Sequence, residues 1–193
     1  LGVGVRYDIE KSWLKGLSPY ARYLIQDQQV DSLRPQDVPI ENIRATVIGA
    51  DYHIWRLTFN AEHEWHDSSL LPFDAGRYSV RYEDRLSDRV NLSLIGGYTQ
   101  YVYTDIHNHV NTLNAAAQVD ARLSERWTLL GRITYLDDQD DLNGLTRGLE
   151  ESVELRWKYR QTEIFGRARN ANLEGDVTKQ DFVTVEMGFR RTF

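Results

Sequence analysis

The chain has 193 residues, 41% of them apolar and 27% charged, with 23 Lys+Arg against 29 Asp+Glu for a formal charge of −6. That balance argues against a general affinity for nucleic acid or anionic headgroups, and the absence of cysteine removes disulfides, thiolate metal sites, cysteine nucleophiles and covalently attached haem. No apolar run nears the roughly 18 residues of a membrane-spanning helix, and the first residues lack the basic-then-apolar profile of a signal peptide.

In chain order, alternation of apolar and polar residues predicts eleven strands, at about 2–10, 19–28, 42–52, 55–65, 76–86, 89–103, 112–123, 126–137, 150–158, 161–172 and 180–193. The period is clear where Tyr78, Val80 and Tyr82 alternate with Ser79, Arg81 and Glu83. It is equally clear where Val153, Leu155 and Trp157 alternate with Ser152, Glu154, Arg156 and Lys158. A helix through either run would scatter its charges into its apolar stripe, and the β-branched and aromatic enrichment favours strands. Most of these runs exceed the five or six residues usual in soluble sheets and match the length of about ten that a tilted strand needs to cross a bilayer. Mean hydropathy, −0.55, does not register such a chain, because its apolar residues occupy only every second position.

The links predicted between strands alternate in length. Short ones fall at His53-Ile54, Ser87-Asp88, Ser124-Glu125 and Tyr159-Arg160, with 11–18 longer than its class; long polar ones fall at 29–41, 66–75, 104–111, 138–149 and 173–179. A barrel trimmed at one end and elaborated at the other has this pattern. The stretch from Arg85 to Leu92 also repeats as Arg122 to Leu129, one hairpin design used twice. Trp55, Trp127 and Trp157 stand beside short turns, while Tyr98 and Tyr135 lie towards the long links. Trp127 and Tyr135 are eight residues apart, roughly 20 Å of height, close to the span between two membrane-interface aromatic girdles.

The last seven residues, Met187-Gly188-Phe189-Arg190-Arg191-Thr192-Phe193, resemble the C-terminal strand of Gram-negative, porin-like outer-membrane β-barrels. Arg191 departs from that pattern, standing where an aromatic or aliphatic residue is usual. The resemblance implies an outer-membrane location, with Gly188, Phe189 and Phe193 as an assembly signal read by the barrel assembly machinery. It further implies outer-membrane lipid and lipopolysaccharide as surroundings, other subunits of an envelope complex as possible partners, and no nucleic acid. The expected fold is all-β: one antiparallel up-and-down transmembrane barrel domain over 1–193. Because single-chain bacterial barrels have even strand counts, eleven strands suggest the C-terminal part of a barrel of 12 or more.

Opposite the apolar face lie charges that include Arg6, Asp8, Arg44, Glu62, Glu64, Arg81, Glu83, Arg122, Arg132, Glu154, Arg156, Arg167 and Arg169. Unpaired buried ions cost several kcal/mol each, so this face must be wet or densely cross-paired. Nineteen of the 23 cations are arginine, suited to fixed bidentate pairing with carboxylates. Arg81, Glu83, Arg122, Arg132, Glu154, Arg156, Arg167 and Arg169 are therefore the candidate pore-lining residues of a channel or translocation pore passing polar solutes or a polymer. The alternatives are a scaffold or sheath for a secretion or electron-transfer partner, and a hydrolase at the rim using His63, His66, His107, His109 and Asp137. Polar loops contain such residues without chemistry, so no catalytic residue, metal or cofactor is assigned.

Overall fold

The computed structural model describes residues 1–27, 42–176 and 179–191. It contains β1 (Gly2–Arg6), β2 (Leu17–Asp27), β3 (Asn42–Ile54), β4 (Leu57–Ser68), β5 (Phe73–Ser87) and β6 (Val90–Tyr103). These are followed by β7 (Asn108–Arg122), β8 (Trp127–Asp140), β9 (Gly144–Tyr159), β10 (Thr162–Gly175) and β11 (Lys179–Arg191). The strands form one antiparallel meander, hydrogen-bonded in chain order. All eleven predicted strands are present, and their ends differ from the prediction in an instructive way.

Strands on the long-link side run further than expected. Only Ser69–Pro72 separates β4 from β5, Thr104–His107 separates β6 from β7, and Asp141–Asn143 separates β8 from β9. Thr146 still pairs with Gly175 and Gly148 with Leu173, although both lie in segments read as loops. The expected alternation of short and long links is thus nearly flat where the structure describes it; the link predicted at 29–41 lies outside the described residues. The cause is physical. Beyond the apolar band a strand no longer alternates in hydropathy, yet its backbone groups still need partners and the ladder continues. Two short turns also shift, by two residues to Trp55-Arg56 and by one to Arg160-Gln161, and begin at left-handed residues, Trp55 (φ 56°) and Arg160 (φ 53°).

The repeated hairpin has a matching device in each copy. Ser87 Oγ accepts from Arg89 N at 3.2 Å in the β5–β6 turn, and Ser124 Oγ accepts from Arg126 N and Trp127 N at 3.3 Å in the β7–β8 link. Each hydroxyl stands in for a carbonyl and closes the turn locally.

Two compact units are distinguished. The first comprises Leu1–Ser79, Tyr98–Asn111 and Asp140–Leu142; the second comprises Val80–Gly97, Thr112–Gln139 and Asn143–Phe193. In neither does a large side chain become fully buried among the described residues. Among the described residues the only buried apolar ones are small, namely Ala45, Val47, Ala75 and Ala171, and by strand alternation all four stand on the charged face. The large apolar residues crowd the other face and are exposed: Val153 by 53%, Ile133 by 49%, Met187 by 85%. The chain exposes 14052 Å², where a compact soluble protein of 22.5 kDa would expose about 9,500 Å². Apolar surface in water costs about 25 cal/mol per Å², so this face calls for an apolar solvent.

Candidate functional site

The charged face of the first unit is built around Glu62. Register sets Tyr20 opposite Gly49 and Gly49 opposite Glu62, with Arg22, Val47 and Glu64 forming the next row. Tyr20 can cross β3 because Gly49 has no side chain: a Cβ there would lie 2.6 Å from the ring. Its hydroxyl donates to Glu62 at 2.7 Å, and the same carboxylate accepts from Arg22 at 2.6 Å and Arg77 at 2.8 Å. Arg77 also donates to Glu64 at 2.6 Å, while Asp51 accepts from Arg6 and Asn60, both at 2.8 Å. Beneath these groups Ala45 and Val47 are buried, so the network roofs a thin apolar layer of the wall.

The charged face of the second unit is built around Glu154, only 7% exposed. Glu154 lies opposite Arg167 on β10, which in turn lies opposite Glu186 on β11. One Glu154 oxygen accepts from Arg156 Nε and a terminal nitrogen, at 3.1 and 2.5 Å; the other accepts from Arg167 Nε at 2.8 Å and from its terminal nitrogen. Arg169 donates to Glu150 at 2.6 Å and lies over the ring of Phe182. Arg132 donates to Thr134 at 3.1 Å, and neither it nor Arg122 makes an ion pair among the described residues. A cleft of about 450 Å³ opens here, lined by Arg132, Glu150, Glu154, Arg167 and Arg169 with Gln118, Ser152 and Thr134.

All eight candidate pore-lining residues therefore share the polar face of the second unit. Arg81 and Glu83 lie along β5 at 3.7 Å from each other, apart from the Glu154 cluster that joins Arg156 and Arg167. Arg44 corrects the sequence reading: it lies opposite Ile25 and Asp67, and alternation along β3 sets it with Ile48, across from Asp51 and Gly49. Near a strand end a charged residue reaches water from either face, so charge alone does not reveal direction there. Tyr20, Arg22, Asp51, Asn60 and Arg77 were not singled out. Parity along β5 points to Arg77; the Tyr20 contact depends on a register that hydropathy does not carry.

The aromatic residues of the apolar face form two groups. Trp127 and Trp157 have centroids 6.5 Å apart, Trp157 stacks beside Tyr159, and the Arg126 guanidinium lies 4.6 Å from the Tyr159 ring. Trp55 is capped by Arg56 at 4.7 Å. In the first unit Tyr98 stacks on Tyr78 at 6.4 Å and donates to Asn111 at 2.9 Å; in the second, Tyr135 donates to Asp137 at 3.1 Å. Gly188 lies beneath the ring of Phe165, a structural use of a residue singled out for assembly, and Phe193 lies outside the described residues.

The histidines of the rim make separate contacts. His63 lies against Trp65, His66 bonds Glu64 at 3.2 Å, and His109 bonds Asp141 at 2.9 Å. Among the described residues no three His or carboxylate groups come together to hold a metal ion.

This strand order, with one apolar and one charged face, is the fold of outer-membrane β-barrels. Solved structures of that class match it. OmpT, an outer membrane protein of Vibrio cholerae, superposes with a TM-score of 0.62 at 9% identity, covering 98% of this chain and 63% of that one. The outer membrane channel DcaP of Acinetobacter baumannii gives 0.62 at 10%, covering 100% and 62%. An anion-selective porin from Comamonas acidovorans gives 0.60 at 11%, covering 100% and 59%. The chain thus spans about three fifths of the length of these structures. No protein-family model and no curated protein sequence matches it. The fold agrees with the outer-membrane location implied by the C-terminal strand.

Proposed function

We propose that this chain forms part of the wall of an outer-membrane channel whose charged passage favours anionic polar solutes. The observation that carries this reading is that Arg122 and Arg132 have no ion-pair partner among the described residues, whereas Arg156 and Arg167 share Glu154 and also approach Glu163 at 3.5 Å and Glu186 at 3.8 Å. A wall meant only for stiffness would match its charges. Unmatched guanidinium groups on a wet face create a positive potential that raises the local anion concentration. The anion-selective porin among the matched structures supports the same choice. Arg81, Glu83, Arg122, Arg132, Glu154, Arg156, Arg167 and Arg169 line the passage in this proposal. Trp55, Trp127, Trp157, Tyr98 and Tyr135 meet the lipid interfaces, and the β11 strand addresses the assembly machinery.

The test is the reversal potential of the full-length protein in planar bilayers under a KCl gradient. Replacing Arg122, Arg132 and Arg169 together by glutamine shifts it towards cation preference. An unchanged potential in channels that still conduct overturns the reading.

A further inference from the structure

The cleft beside Glu154 is built on one row of the sheet. Leu123 N donates to Trp127 O at 2.9 Å and Lys158 N to Arg126 O at 2.8 Å. Counting along these antiparallel pairs sets Gln118 on one side of Arg132 and Ser152 on the other, and Ser152 in turn lies opposite Arg169. Neighbouring strands stand about 4.8 Å apart, so the two arginine stems rise roughly 10 Å from each other. The serine between them is too short to fill the gap, and this gap is the middle of the cleft of about 450 Å³.

Both guanidinium groups lean over the same neighbouring row. Arg132 Nε donates to Thr134 at 3.1 Å and Arg169 donates to Glu150 Oε2 at 2.6 Å, and the same count sets Thr134 opposite Glu150. The terminal nitrogens of Arg132, the Ser152 hydroxyl and Glu150 Oε1 have no protein partner among the described residues. Glu150 and Arg169 are 37% and 45% exposed, within reach of a solute. Arg167 and Arg169 are both ion-paired, so Arg132 is the one cation of the cleft without a counter-charge among the described residues. A free guanidinium fork beside a hydroxyl donor is the complement of a carboxylate, which accepts two parallel hydrogen bonds. The spare Glu150 oxygen, in contrast, accepts a donor and repels a second negative charge.

We propose that this cleft is a binding station for hydroxy monocarboxylates. The solute's carboxylate accepts from the Arg132 fork and from the Ser152 hydroxyl, and its own hydroxyl donates to Glu150 Oε1. Chloride would leave the planar fork and the Glu150 oxygen unused. A dicarboxylate would bring a second negative charge against Glu150. The inference rests on the anion-favouring channel for solute access and names the class of anion within it.

The experiment measures binding without conduction, by proton NMR saturation transfer from the full-length protein in detergent micelles to lactate at pH 7. Propionate serves as the same acid without the hydroxyl. Lactate binds saturably and propionate about tenfold more weakly, as expected for one lost hydrogen bond to a charged group. Arg132→Gln weakens lactate binding about tenfold, and Arg132→Lys, which keeps the charge and loses the fork, weakens it about fivefold. Glu150→Ala brings the preference for lactate over propionate to within about twofold, whatever it does to each acid alone. No saturable lactate binding, equal affinity for propionate, parent-like binding by Arg132→Lys, or tighter binding of succinate overturns the station. If an Arg132 variant fails to assemble, Ser152→Ala carries the test, with weaker lactate binding supporting the station and unchanged binding overturning it. The reversal potential of the parent protein keeps the two readings apart. An anion-selective channel that does not bind lactate overturns the station alone, and a lactate-binding protein without anion preference overturns the channel reading alone.

Discussion

The two units solve the same problem, a charged face on a thin sheet, with different balances. In the first, Glu62, Glu64 and Asp51 share Arg6, Arg22 and Arg77, and tyrosine and asparagine fill the gaps between them. In the second, Glu154, Glu150, Glu163 and Glu186 hold Arg156, Arg167 and Arg169, while Arg122 and Arg132 make no ion pair among the described residues. The first arrangement ties every arginine it contains into an ion pair; the second also fixes side chains but leaves Arg122 and Arg132 outside its ion pairs among the described residues. In the proposed channel, matched charge would serve structure and unmatched charge selectivity.

The largest expected effect tests the fixing role. Glu154→Ala removes the acceptor for two guanidinium groups and lowers stability by about 2–3 kcal/mol, less than for a wholly buried pair because both arginines stay half-exposed. Thermal unfolding in detergent measures it, and Glu62→Ala should cost about as much if the two hubs are equivalent in this respect. Gly49→Ala should cost about 1–3 kcal/mol by forcing the Tyr20 ring aside. Gly131→Ala, with nothing within 4 Å of the added methyl, should stay within about 0.5 kcal/mol of the parent. The sharpest separation of the units is electrical. Arg132→Gln should shift the reversal potential towards cations with little change in unfolding temperature, whereas Arg22→Gln should weaken the fold and shift the potential less. Equal shifts from both would dissolve the distinction. Among the turn residues, Ser124→Ala should cost about 0.5–1 kcal/mol through its two turn hydrogen bonds, and Ser87→Ala about half as much through its one.

The strands were legible because each carries an unbroken alternation, as in Val153 to Trp157, and alternation is a backbone property that tertiary contacts do not override. Their ends were less so. In segments such as 144–149 and 173–175 charges stand at apolar positions of the alternation, Arg147 paired with Glu174, and hydropathy reads them as loops although Gly148 pairs with Leu173. The facing of Arg156, Arg167 and Arg169 could be read by parity, since they stand mid-strand where lipid forbids the alternative. Arg44 escaped that logic near a strand end. The Glu62 hub stayed hidden because Tyr20 and Glu62 are 42 residues apart and meet only through the register across Gly49.

Glycine beneath an aromatic ring occurs in both units, Tyr20 over Gly49 and Phe165 at Gly188. A side chain normally stands roughly perpendicular to its sheet. A ring that lies down over a missing side chain instead adds one layer of carbon to the wall, and it loses the freedom to swing into whatever passes. Where glycines fall along these strands therefore sets how smooth the charged surface is, independently of how charged it is. A mutation that adds a single methyl beneath such a ring would roughen the charged face without altering one charge on it.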